Sequence, residues 1–68
     1  MKLANFLNSC QNEIERYCIY FDDDAWENSI PDIEAYNFRD LKNALASTNR
    51  YVDAWYVDVN WSLHILVS

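Results

Sequence analysis

Glycine is absent from this 68-residue chain, and proline occurs once, at Pro31. That excludes a collagen repeat, a flexible Gly-rich linker and a phosphate-cradling loop, all of which need backbone that glycine alone supplies readily. Positive charge is also scarce. Five Lys and Arg stand against eleven Asp and Glu, a formal net charge of −6 at pH 7. Neutralising phosphates or an anionic membrane surface takes clustered cations, so no direct nucleic-acid binding and no membrane binding are expected. No apolar run approaches the roughly 18 residues of a membrane span. Asn5 and Asn8 interrupt the apolar stretch after Lys2, so no secretory leader is read and a cytoplasmic location is expected.

What the chain does have is apolar and aromatic side chains. At 51% hydrophobic, 16% aromatic and 24% charged, it has the composition of a folded protein rather than a disordered one. Its length predicts one small domain over residues 1–68. A domain of this size buries only roughly 60% of the surface of its unfolded chain, which leaves little room for a deep catalytic cavity.

The negative charge is concentrated. Residues 17–38 hold Asp22, Asp23, Asp24, Glu27, Asp32 and Glu34 and no Lys or Arg. Elsewhere Lys2, Arg16, Arg39, Lys42 and Arg50 balance Glu13, Glu15, Asp40, Asp53 and Asp58. One reading is a solvated turn, because Asp favours turns and hydrates well. The other is a negative lobe that draws in a basic partner, since clustered like charge raises association rates with a complementary surface.

Leu3, Phe6, Leu7, Cys10, Ile14 and Tyr17 recur every three or four residues, which predicts an amphipathic helix over about 2–16. Tyr17 to Phe21 is apolar on both faces and reads as a strand covered on both sides. Residues 22–36 lack a period and contain Pro31, so a long acidic loop is expected there, with a helical turn near Ala25-Trp26-Glu27. Trp26, Ile30, Ile33 and Tyr36 are expected to pin that loop to the core. Asn37, with Asp40 three residues on, resembles a capping box. A helix over about 38–48 follows, with Asn49 the candidate for the left-handed residue that closes it. Tyr51 to Ser68 would span roughly 60 Å as one strand, so a hairpin is expected, with strands about 51–57 and 61–67 turning near Asp58-Val59-Asn60.

These elements predict an α+β domain, two helices on one face of a three-stranded, mainly antiparallel sheet. The other face, bearing Tyr20, Tyr56, His64 and Leu66, would be open as a contact surface, or else covered by homodimerisation.

No constellation points to chemistry. Cys10 and Cys18 read as reduced thiols, and two cysteines with one distant His64 do not form a zinc pattern. Counted from Asp22, the sixth position of a calcium loop falls on Glu27 instead of Gly, so that pattern fails. His64 has no nucleophile motif and reads as a strand-surface histidine. No catalytic residue, metal or cofactor is expected, and the chain is read as not an enzyme. Among the three tryptophans, Trp55 and Trp61 are expected in the core, whereas Trp26 fits core or interface equally.

The function expected is that of a small acidic inhibitor or decoy. Its partner would be a basic protein surface, most naturally on a nucleic-acid-handling enzyme, with carboxylates standing where phosphates normally lie. The contact residues would be Asp22, Asp23, Asp24, Trp26, Glu27, Asp32, Glu34 and Tyr36. In its profile (short, acidic, aromatic-rich, without motifs) the chain resembles phage or plasmid proteins that block restriction or CRISPR nucleases, a likeness of composition alone. The alternative is a structural or assembly module that self-associates, or docks to a larger subunit, through the exposed sheet face or a hairpin edge.

Overall fold

The computed structural model describes residues 1–8, 13–44 and 50–68. In chain order its elements are α1 (Leu3–Asn8), β1 (Arg16–Tyr20), α2 (Asp23–Asn28), β2 (Ile33–Ala35), α3 (Phe38–Ala44), β3 (Val52–Val57) and β4 (Ser62–Val67). The strands form one sheet in the order β2-β1-β4-β3. β1 and β4 lie side by side at its centre and run parallel, in register from Arg16↔Ser62 to Tyr20↔Leu66. β2 pairs antiparallel with β1, and β3 antiparallel with β4.

The central position follows from composition. Tyr17 to Tyr20 of β1 are apolar on both faces and need cover on both, and every residue of β4 beside them is buried too, the polar Ser62 and His64 included. On one face Tyr17, Ile19, Leu63, Ile65 and Val67 meet Leu3 and Leu7 of α1 and Leu41 of α3. Complete burial of a side chain such as Leu41 contributes about 1.5–3 kcal/mol relative to leaving it in water. On the opposite face Cys18, Tyr20 and Leu66 are covered by Ala25 and Trp26 of α2.

The α+β class stands, with three differences in detail. The sheet has four strands instead of three, its central pairing is parallel, and a third helix covers the second face. That face is therefore not the open surface expected, because Tyr20, His64 and Leu66 are buried and only Tyr56 remains exposed. Both additional elements lie in 22–36, α2 where the sequence predicts a helical turn near Ala25-Trp26-Glu27 and β2 where it predicts only loop. β2 owes its order to pairing with β1, and α2 to its caps and to packing by Trp26. Asp22 is the N-cap, its side chain accepting from the Ala25 N–H at 2.7 Å. Ser29 closes the helix in the left-handed region at φ 57°, and Pro31 follows.

The first helix does not extend to residue 16. Glu13 to Glu15 are non-helical, and the Glu15 N–H donates to the Trp61 carbonyl at 2.8 Å, so the sheet claims this segment. Residues Met1 to Leu3 are tied to the start of β3 through Val52 N–H to Met1 O and Leu3 N–H to Arg50 O, each 2.9 Å. The Asn37 cap holds: its Oδ1 accepts from the Asp40 N–H, and its Nδ2 donates to the Asp40 carboxylate. The expected places of Cys10, Leu45, Thr48 and Asn49, and any bridge between Cys10 and Cys18, lie outside the described residues. The hairpin turns at 58–60, with Asp58 N–H bonded to Ser62 O and Trp61 N–H to Asp58 O. Ile30 and Tyr36 are exposed rather than pinned to the core, whereas Trp26 and Ile33 do pack against it.

Candidate functional site

The expected contact residues divide into those holding the backbone and those facing solvent. Asp22 caps α2, and the Asp32 carboxylate accepts from the Phe21 N–H at 2.7 Å, tying the loop back to the end of β1. Glu34 accepts from the Tyr36 hydroxyl at 2.7 Å and stands 3.9 Å from the Arg16 guanidinium. That hydrogen bond to the Glu34 carboxylate raises the Tyr36 phenol above its ordinary value. Asp23, Asp24 and Glu27, by contrast, project from α2 into solvent. Among the described residues, no Lys or Arg lies within ion-pair distance of them.

Trp26 joins core and surface. Half-buried, it meets Tyr20 edge-on at 5.2 Å between ring centroids and Tyr56 at 5.5 Å. α2 thus has a rigid inner anchor and an acidic outer side. Glu34 lies on the same side of the sheet, since it pairs with Cys18, whose side chain packs under α2.

Beneath Trp26 lies a polar line that reasoning from sequence missed. His64 is 6% exposed, contrary to the strand-surface expectation, because the Tyr20 and Tyr56 rings stack against it. Its Nδ1 stands 2.7 Å from the Tyr20 hydroxyl and its Nε2 2.8 Å from Asp58 Oδ2. In the neutral tautomer that satisfies all three groups, Nε2–H donates to Asp58 and the Tyr20 hydroxyl donates to Nδ1. Burial pushes the Tyr20 phenol up to about 12. The Asp58 carboxyl is held below its ordinary value, first by the hydrogen bond from His64 and then by the Ser62 and Asn60 N–H groups. Burial raises the Cys18 thiol, which keeps it protonated and a poor nucleophile. The line therefore locks the hairpin to β1, with each polar group already partnered. Among the described residues, no group of three or more His, Cys, Asp or Glu is placed to hold a metal ion.

The hairpin carries the second unexpected feature. Trp55 and Trp61, expected in the core, are each 55% exposed, and Val59 at the turn is 94% exposed. β3 is an edge strand, so its side chains are covered incompletely on both faces; Trp55 meets Phe6 of α1 at 5.4 Å and is otherwise open. Trp61 adopts φ 60°, a conformation that costs a non-glycine residue about 1–2 kcal/mol. The signal in the sequence is Asp53, a charge inside the strand, which fits an edge better than a centre.

The chain matches no protein-family model, no curated protein and no solved structure. Among the described residues, no helix is long and apolar enough to cross a membrane.

Proposed function

We propose that this chain is a small acidic binding protein, an inhibitor or decoy that lays the outer side of α2 on the basic surface of a nucleic-acid-handling protein. The activity blocked would be of the restriction or CRISPR nuclease type. One observation carries the reading: Asp23, Asp24 and Glu27 stand exposed on a short helix, without basic neighbours among the described residues, while Trp26 of that helix is seated between Tyr20 and Tyr56. Carboxylates held on a rigid seat lose little conformational freedom on docking, and their common sign steers encounter with a positive surface. Asp22, Asp32 and Glu34 add to the field but are committed to the backbone, to Tyr36 and to Arg16.

The test separates charge from fold. Asp23→Asn, Asp24→Asn and Glu27→Gln together should keep the circular dichroism of the parent and weaken partner capture by at least about 10-fold. Capture by the parent should itself fall steeply from low to high salt. Undiminished capture by the folded triple variant rejects the reading. A second reading, an assembly module, is favoured by the exposed Trp55, Tyr56 and Trp61. In that case association survives salt and the triple variant but fails in Trp55→Ser.

A further inference from the structure

The outer edge of β3 offers unpaired backbone between two carboxylates. Antiparallel ladders bond alternate residues to a given neighbour. Asp58 N–H bonds Ser62 O of the adjoining strand, so Tyr56 and Ala54 face β4 as well, and the Trp55 and Val57 N–H groups point outward. At the start of the strand the outward position is taken, because Val52 N–H donates to Met1 O and Lys2 bridges Tyr51. Past the irregularity between Val52 and Ala54, no other backbone segment bonds to this edge among the described residues. An open stretch of four residues, Ala54 to Val57, remains, about 13 Å long. Asp53 and Asp58 stand at its two ends, and Trp55 and Tyr56 flank it on opposite faces, each about half exposed.

We propose that this edge receives an extended segment of the basic partner, which adds a fifth strand beside β3 and sets cationic side chains against Asp53 and Asp58. The proposal rests on the acidic-decoy reading and gives it a second contact. Unpaired N–H and C=O groups specify an extended backbone, since only a strand can satisfy a row of them. The terminal carboxylates specify positive charge. Asp53 spends one oxygen on the Ser68 hydroxyl, and Asp58, though bonded by Asn60, Ser62 and His64, still adds its negative field. The exposed Trp55 and Tyr56 rings add surfaces on which Arg or Lys stems and heads can lie. A second copy of this chain fits poorly. Each copy carries a net charge of −6, so two copies repel on approach, whereas a basic segment is drawn to the same edge.

The experiment uses the whole chain, labelled with nitrogen-15, and a capped seven-residue peptide of alternating Lys and Val as probe. Amide exchange at Trp55 and Val57 is expected to slow by at least about 10-fold on saturation. The same peptide N-methylated along its pairing edge should give less than about 2-fold protection, and so should a capped peptide of alternating Glu and Val. Val57→Pro removes an outward N–H that no strand of this chain uses and should abolish protection at Trp55. The N-methylated peptide gives the same information without altering the protein. Unchanged exchange at both amides overturns the proposal, as does equal protection by the Glu-Val peptide. Protection without peptide that rises with protein concentration would show self-pairing and overturn it too. Failure of the acidic-decoy reading appears elsewhere, as undiminished partner capture by the α2 triple variant, and leaves these amide rates untouched.

Discussion

Asp58 shows how much one side chain can hold. It takes the N–H groups of Asn60 and Ser62 on one oxygen and His64 Nε2 on the other, closing the hairpin turn and fixing the ring that Tyr20 meets from β1. Its folded carboxyl is depressed, so it contributes stability that is fully present above the unfolded value of about 4 and is lost as pH falls through the folded value. In acid unfolding followed by Trp fluorescence, Asp58→Asn should be less stable than the parent at neutral pH and should lose less on acidification. Parallel curves for the two proteins would contradict that role. Ser29 is a second informative residue. It sits at φ 57°, where glycine is at ease and serine is not, so Ser29→Gly should gain about 0.5–1 kcal/mol by urea unfolding with an unchanged slope. Leu3 and Leu7, the Asn37–Asp40 cap and the turn at 58–60 were readable from sequence because each depends on neighbours within four residues. The polar line at His64 was not, since Tyr20 and His64 are 44 positions apart.

At the scale of the element, α2 is the clearest example of order imposed from outside. Six residues are too few to hold a helix alone, and Asp23, Asp24 and Glu27 crowd like charge onto it. It persists because Asp22 caps it, Asp23 and Asp24 lie in its first turn where helix polarity favours anions, and Trp26 packs on Tyr20 and Tyr56. Asp22→Ala should therefore cost about 1 kcal/mol in urea unfolding and speed amide exchange at Ala25, whose N–H loses its acceptor. A loss equal to that of an exposed Glu27→Ala control would argue against the cap. The absence of period over 22–36 reads as loop from sequence, and the error has a physical cause. α2 and β2 are too short to show a period, and β2 is ordered by a partner strand rather than by its own pattern.

For the whole molecule, the two candidate contact surfaces centre on opposite edges of the sheet and meet at one contact, Trp26 of α2 on Tyr56 of β3 at 5.5 Å. The acidic stretch lies around β2 and α2, while the exposed aromatic hairpin lies at the β3 edge on the far side of β1 and β4. Six like charges between residues 17 and 38 repel in the folded state, and added salt screens them. Thermal stability should accordingly rise by a few °C from low to physiological salt, roughly the shift that follows from a few tenths of a kcal/mol to 1 kcal/mol in a small domain. The same change should weaken partner capture. A melting temperature that falls with salt would mean that the local ion pairs outweigh the repulsion.

Sequence alone determined the α+β class, the continuously apolar run that becomes the central strand β1, the hairpin at 58–60 and the concentration of acid between 22 and 34. Each of these is carried by periodicity, composition or turn chemistry over a few neighbouring residues. Only the tertiary structure decided that β1 runs parallel to β4, that α2 packs on Tyr20, that His64 is buried, and that Trp55 and Trp61 face solvent. Strand order balances burial against chain entropy over the whole molecule. Whether a tryptophan is covered depends on which strand that balance leaves at the edge.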